Sequence, residues 1–293
     1  MNVIEFREVS RRFGKVSALD SVDFSVPAGS VTALIGSNGA GKTTSMKIMN
    51  RLINYTGMTR IFETDLSQIP EKSLKSRVFF LPEDKAFPSS LKVKNLASEI
   101  RMLSAGIDME FFGRLLEDFG LTEKWNARAR ELSLGMQSAL YLCVALSSPA
   151  ELFILDEPLT GLDPILRSQV VRLLKERVLN GDKTVLYSSH ILEEVEQSSD
   201  GIVILHQGKC LYCGTIDDLK DLFAEAVMEN LKSPEDYAKQ EGVLFLKKTG
   251  VNIWKALIRR DNPPKDMPGR IFPLTLKELF VYLIEREDSR KTV

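Results

Sequence analysis

Gly36-Ser-Asn-Gly-Ala-Gly-Lys-Thr43 lies between an apolar run, Val31-Thr-Ala-Leu-Ile35, and a segment from Lys42 to Arg51 with helical character. The stretch fits G-x-x-x-x-G-K-[ST] in the strand–loop–helix context that the pattern requires. Its glycines let backbone N–H groups converge on one point, and the following helix adds the positive end of its dipole. Such a loop holds phosphate. Lys42 is expected to reach the β- and γ-phosphates of ATP, and the Thr43 hydroxyl to ligate Mg2+. Thr44 is expected to add a further phosphate contact, so Gly36, Ser37, Asn38, Gly39, Ala40, Gly41, Lys42, Thr43 and Thr44 form the expected nucleotide site. A tight turn that holds nothing is the weaker alternative.

Outward from this loop, Val78-Phe-Phe-Leu81, Leu152-Phe-Ile-Leu155, Thr184-Val-Leu-Tyr187 and Ile202-Val-Ile-Leu205 are short apolar runs between polar turns. They read as strands buried on both faces, in a parallel sheet covered by helices. Met46 and Met49 are three apart, the spacing of core packing. Phe111, Phe112, Leu115, Leu116 and Phe119 recur at helical spacing, and residues from about 85 to 148 read as a helical insertion. After Thr215 the pattern changes. Val243 to Leu246 and Asn252 to Ile258 read as strands, the second with Trp254, Ala256 and Ile258 on one face. Asp261 to Gly269 is a loop. Thr275-Leu-Lys-Glu278 is a capping box opening a final helix striped by Leu276, Leu279, Phe280, Leu283 and Ile284. There is no internal repeat.

Leu152-Phe-Ile-Leu-Asp-Glu157 supplies acids to partner the phosphate loop. Asp156, at the end of a buried strand, is placed to hold the metal, and Glu157 to polarise an attacking water. An apolar run ending in two acids is a weak signal alone and a strong one downstream of such a loop.

Composition sets the outer limits. The 293 residues suit about two domains. Thirty-nine basic and 40 acidic residues leave a net charge of −1, with no overall basic field to favour nucleic acid. No stretch approaches the roughly 18 consecutive apolar residues of a spanning helix, so a soluble protein is expected, reaching a membrane only through a partner. The N-terminus lacks the apolar core of a signal peptide. Three cysteines suit a reducing cytoplasm. Cys210 and Cys213 form a C-x-x-C four residues after His206, but positions three apart on a strand face oppositely and a fourth ligand is missing, so a metal role is disfavoured. The run from Lys124 to Arg130 reads as a solvated face.

With these pieces assembled, the chain resembles the ATP-binding-cassette (ABC) ATPases over nearly all of residues 3–215. Arg12-Phe-Gly-Lys-Val-Ser-Ala-Leu19 is similar to the adenine-stacking segment, making Phe13 the aromatic platform, with core packing as the alternative. Phe80-Leu-Pro-Glu83 occupies the Q-loop. Leu132-Ser-Leu-Gly-Met136 resembles the signature motif, Gly161-Leu-Asp-Pro164 the D-loop, and Ser188-Ser-His190 the switch-histidine segment, while His206 reads as structural. The fold class that this implies is α/β: a P-loop NTPase (RecA-like) core with an N-terminal antiparallel β subdomain and an inserted helical subdomain. Residues 1–215 would form the nucleotide-binding domain, and 216–293 a small α+β C-terminal extension with an accessory or regulatory role.

Two departures stand out. Leu134 and Met136 replace one glycine and the glutamine of the usual Leu-Ser-Gly-Gly-Gln, and Ser138-Ala139 stand where Gln-Arg is usual. Ser133 and Gly135 remain, so a hydroxyl, a close backbone approach and a helix N-terminus can still meet phosphate. The Q-loop glutamine is Glu83, a further potential Mg2+ ligand, with an exposed loop acid as the alternative.

The resemblance implies that the phosphate loop of one subunit closes on Ser133 and Gly135 of another, with Asp163 of the D-loop as a further nucleotide contact and Glu157, His190 and Lys42 as catalytic groups. Two composite sites would then form in a homodimer, or in a heterodimer with a second cassette, closing on ATP and opening after hydrolysis. The expected partners are integral-membrane permease subunits, and the expected place is the cytoplasmic face of the membrane. The signature and tail are similar to those of bacterial drug- and antibiotic-exporter cassettes. Two other readings stand beside this one: a soluble ABC ATPase acting on ribosomes or nucleic acid, whose relatives usually carry two cassettes or a long coiled-coil insertion, and a regulatory cassette that barely turns over.

Overall fold

The computed structural model describes residues 1–84, 90–95, 106–179, 183–265 and 269–290. Backbone contacts divide the chain into two compact units, Met1–Ile191 with Ser198–Cys213, and Leu192–Gln197 with Gly214–Val293.

The first unit opens with two 12-residue strands, β1 (Asn2–Phe13) and β2 (Val16–Pro27), joined at Gly14-Lys15. They form an antiparallel pair, and the opposed Phe6 and Phe24 stack with ring centroids 4.5 Å apart. Cross-strand aromatic pairs of this kind hold register. The next strand, β3 (Val31–Gly36), is buried along its whole length. It leads into α1 (Lys42–Met49), which turns Met46, Ile48 and Met49 into the core. Then β4 (Thr56–Ile61) and β5 (Thr64–Asp65) return to the first sheet, whose order is β2-β1-β4-β5.

After α2 (Glu71–Arg77) the chain builds the rest of a second sheet: β6 (Val78–Leu81), β7 (Leu152–Leu155), β8 (Thr184–Ser188), β9 (Gly201–His206) and β10 (Lys209–Thr215). Its order is β10-β9-β3-β8-β7-β6, and β3, β6, β7, β8 and β9 run parallel. The parallel strands are near-continuous apolar runs, as burial on both faces demands. Their C-terminal ends point the same way, and there the Gly36 loop, Asp156 and His190 emerge.

Between β6 and β7 lies the segment read as a helical insertion; its residues 85–89 and 96–105 lie outside the described residues. The rest contains α3 (Met109–Asp118) and α4 (Leu134–Ser147). Asp108 caps α3 by accepting from Phe111 N–H at 2.9 Å, and Phe112, Leu115 and Leu116 form its buried stripe. One antiparallel bridge, Lys92 to Arg128, departs from an all-helical reading. A longer helix, α5 (Pro164–Leu179), links β7 to β8.

The second unit contains α6 (Leu192–Ser198) for most of its length, then α7 (Ile216–Leu222), β11 (Phe223–Glu229), α8 (Pro234–Ala238), β12 (Val243–Lys248), β13 (Ile253–Arg259), β14 (Arg270–Phe272) and α9 (Leu276–Ser289). Its antiparallel sheet has the order β12-β13-β11-β14. One face packs Ala224, Ala226, Met228, Ala256 and Ile258 with Tyr237, and Trp254 closes against them. On β11, Glu225 is buried yet paired, accepting from Tyr282 Oη at 2.7 Å and Lys255 Nζ at 2.9 Å. Charge burial is tolerable only with such partners. The capping box is formed, with Thr275 and Glu278 each bonding the other's main chain. The buried stripe of α9 differs from the sequence expectation: Tyr282 joins Leu276, Leu279 and Leu283, whereas Phe280 and Ile284 are half-buried.

Candidate functional site

The loop after β3 is shaped by glycine. Gly41 has φ 109°, and a Cβ there would stand 2.5 Å from Leu19 Cδ2 and 2.7 Å from the Ala18 carbonyl. Only glycine fits. At Gly36 a Cβ would meet the Leu205 carbonyl at 2.3 Å, so the loop leaves β3 pressed against β9. Lys42 curls back over the loop, its ammonium donating to the carbonyls of Gly36 at 2.7 Å and Ser37 at 3.3 Å. Behind the loop, Gly208 N–H donates to the Ala40 carbonyl at 3.1 Å, and the buried His206 places Nδ1 3.4 Å from Ser37 Oγ. Phe13, Val16, Ala18, the run from Asn38 to Thr44, Glu83, Asp156 and Glu157 line one cleft of about 450 Å3. That size suits a small-molecule ligand.

The acids stand at the end of β7. Asp156 is 1% exposed; its Oδ1 accepts from Ser188 Oγ at 2.6 Å, and its Oδ2 is buried without a hydrogen-bond partner among the described residues. A buried carboxylate oxygen left unpaired is costly unless a cation or a bound water meets it. The donor set therefore fits Mg2+, with the Thr43 hydroxyl and Glu83 on the same cleft. Among the described residues no three acid, His or Cys side chains are grouped closely enough to hold an ion by themselves, so such an ion would draw its other ligands from water and phosphate, as Mg2+ does.

Glu157 takes φ 47°, a left-handed backbone that a non-glycine residue adopts at some cost. Its N–H donates to Ser188 Oγ at 2.8 Å, which fixes the turn. Its Oε2 lies 2.9 Å from His190 Nδ1 and accepts from Thr160 Oγ1 at 3.4 Å. The side chain of His190 is 62% exposed, that of Glu157 only 14%. The pair thus reaches from the cleft wall to the surface.

Three expected residues stand apart from this cleft. Ser133 caps α4, accepting from Met136 N–H at 3.2 Å. Gly135 presses on the loop after β7, where a Cβ would stand 2.6 Å from the Gly161 carbonyl. Asp163 caps α5 by accepting from the N–H groups of Ile165 and Leu166 at 2.9 and 3.0 Å. None of the three lines the cleft; Gly36, Ser37 and His190 are not on its wall either, but Gly36 and Ser37 belong to the same loop and His190 touches Glu157, which is on it. Phe13 is not a core residue: it is 47% exposed, with the Arg11 guanidinium 4.6 Å from its ring centroid. Glu83 is exposed and on the cleft. On β10, Cys210 is half-buried and Cys213 exposed, with Cys213 Sγ bonded to the main chain of Ser25.

Sequence reading missed the work of Ser188, although the segment containing it was singled out. A serine two residues before the histidine and opposite an Asp-Glu pair on the neighbouring strand was the available signal. The Ser37 contact of His206 carried no signal, because it depends on a pairing between β3 and β9 that spacing alone does not specify.

The ABC transporter family model matches residues 19–160. The bacitracin transport ATP-binding protein BcrA of Enterococcus faecalis is 34% identical over 207 residues, covering 70% of this chain and 67% of that one. The lantibiotic transport ATP-binding protein SrtF of Streptococcus pyogenes is 32% identical over 230 residues, covering 77% of this chain and 98% of that one. Among solved structures, the ATP-binding subunit of an ABC transporter superposes with a TM-score of 0.68 at 28% identity, covering 74% of this chain and 92% of that one. The phosphate loop on β3, the paired acids on β7 and this extent of likeness lead to one assignment: the chain belongs to the ABC transporter ATP-binding proteins.

Proposed function

We propose that this chain hydrolyses Mg-ATP in composite sites shared between two subunits, and that the closing and opening of those sites drives a separate membrane permease. The observation that carries the reading is the Glu157–His190 pair at the rim of the phosphate cleft. A carboxylate within proton-sharing distance of an imidazole is equipped to polarise a water aimed at the γ-phosphate. His190 orients that carboxylate and reaches the γ-phosphate itself. Lys42 exchanges its bonds to the loop carbonyls for the β- and γ-phosphates, and the amides of the loop from Gly36 to Thr44 cradle them. Phe13 stacks on the adenine. Asp156, Thr43 and Glu83 would hold Mg2+, which when bound supplies positive charge to the phosphoryl oxygens. Ser133, Gly135 and Asp163, away from their own chain's cleft, serve the nucleotide of the second subunit, whether an identical copy or another cassette.

The relatives named for bacitracin and lantibiotic transport support an exporter. Among the described residues no helix is long and apolar enough to cross a membrane, so the transport path belongs to the permease, which holds the cassette at the cytoplasmic face. Residues 216–293 act as an accessory or regulatory domain.

ATPase rates of the wild type and Glu157→Gln test the proposal. A working wild type is expected, with turnover reduced by about 100-fold or more in the variant, as for loss of a general base, and dimers stabilised by ATP. A wild type without turnover would overturn it.

A further inference from the structure

A chain of contacts leads from the second turn of α4 to the Glu157 carboxylate through residues with no role so far. Ser138 is 4% exposed, and its hydroxyl donates to the Thr160 carbonyl at 3.0 Å. Thr160, exposed in the loop after β7, donates its N–H to the Glu157 carbonyl at 3.2 Å and its hydroxyl to Glu157 Oε2 at 3.4 Å. That same oxygen faces His190 Nδ1. A second contact pins the same two segments, because the bare Cα of Gly135 lets α4 approach the Gly161 carbonyl. Gly161, at φ 86°, holds a backbone that other residues rarely adopt. Main chain against main chain on one side, and a buried hydroxyl on the other, tie the start of α4 to the turn that carries Glu157.

We propose that Ser138 is a positioning residue, acting through Thr160 to set the Glu157 carboxylate according to the placement of the signature segment Leu132-Ser-Leu-Gly-Met136. The residue that departs from the usual glutamine is thus the donor that makes the link. The inference rests on the proposed function. Ser133, at the head of the same helix, serves the partner's nucleotide, whereas Glu157 serves its own. A shift of α4 on contact with one γ-phosphate is therefore transmitted to the hydrolytic geometry at the other. Small misplacements of a catalytic group have large kinetic effects, so a link of two hydrogen bonds suffices.

ATPase kinetics of Ser138→Ala, Thr160→Val and the double variant test this, alongside wild type and Glu157→Gln, with ATP affinity measured by nucleotide titration. Each single change is expected to lower kcat by about tenfold while ATP affinity stays within about twofold, since neither residue lines the cleft. The double variant should be no slower than the slower single one, because one link is cut only once. The Hill coefficient for ATP should fall toward one in all three. An unchanged kcat in Ser138→Ala, multiplicative losses in the double variant, or parallel loss of kcat and ATP affinity would each overturn the link. If Ser138→Ala does not fold, Thr160→Val at its exposed position decides alone, by the same criterion of kcat against affinity. A wild type without turnover sinks the proposed function as well, whereas a working wild type with an unaffected Ser138→Ala sinks only this link.

Discussion

Ser188 donates its hydroxyl to Asp156 Oδ1 at 2.6 Å, and Ser188 Oγ in turn accepts the N–H of Glu157, the residue after Asp156, at 2.8 Å. One serine on β8 thereby orients Asp156, the acid proposed to face Mg2+, and holds the strained turn of Glu157, the proposed general base. Ser188→Ala removes both bonds inside a dry site, leaving Asp156 with two unpaired oxygens. A loss of about 1–3 kcal/mol in stability is expected. Denaturant melts will show it, and the Mg2+ concentration for half-maximal ATPase activity should rise.

At Gly41 the backbone and the packing make the same demand. Gly41→Ala must place a methyl group against Leu19 and the Ala18 carbonyl at φ 109°. The amides of the loop would then no longer converge. Nucleotide titration should find ATP binding lost, while circular dichroism shows the rest of the unit folded.

Phe13 offers its ring from an exposed position on β1. Stacking of a base on an aromatic ring contributes about 1–3 kcal/mol, so Phe13→Ala should raise KM for ATP by about tenfold and leave kcat nearly unchanged. Phe13→Trp should restore KM. A fall in kcat without a change in KM would remove the adenine platform from the mechanism.

Leu134 is 78% exposed beside Ser133, where a soluble monomer would gain more from a polar side chain. In the Glu157→Gln background, Leu134→Glu should abolish the ATP-dependent dimer in size-exclusion chromatography, without loss of ATP binding. Dimers of normal stability would place the subunit contact elsewhere.

In the second unit, Thr275→Ala cuts the capping box at the head of α9. About 1 kcal/mol of stability should be lost from that unit, read as a lower melting midpoint with unaltered nucleotide affinity.

Much of this was legible in the sequence because the relevant information is local. The phosphate loop lies within eight consecutive residues, and the strands of the parallel sheet are continuous apolar runs that need no partner to be recognised. The capping box at Thr275 and Glu278 is local in the same way. What escaped depends on pairing across the sheet: Ser188 serves Asp156 from the neighbouring strand, and His206 meets Ser37 because β9 flanks β3. Short strands of an antiparallel sheet escaped too. β11, Phe223-Ala-Glu-Ala-Val-Met-Glu229, is rich in helix formers and follows α7 with no turn residue between, and β14 has only three residues. Tyr282 was hidden for another reason. Its ring is apolar but its hydroxyl needs a partner, and only the fold supplies Glu225.

The strand that ends in the phosphate loop has a folding consequence of its own. β3 pairs with β8 and β9, matching Val31 with Val185 and Thr32 with Gly201. A ribosome making this chain must therefore release more than two hundred residues before Gly36 has both its neighbours. Contacts so distant in sequence form slowly, and the loop cannot take its final shape while the nascent chain is still short. Until then a strand that is buried along its whole length in the finished unit is uncovered. A nucleotide that binds only the finished loop adds to the stability of the completed fold, so ATP is expected to favour the completed sheet by mass action as well as to occupy its site.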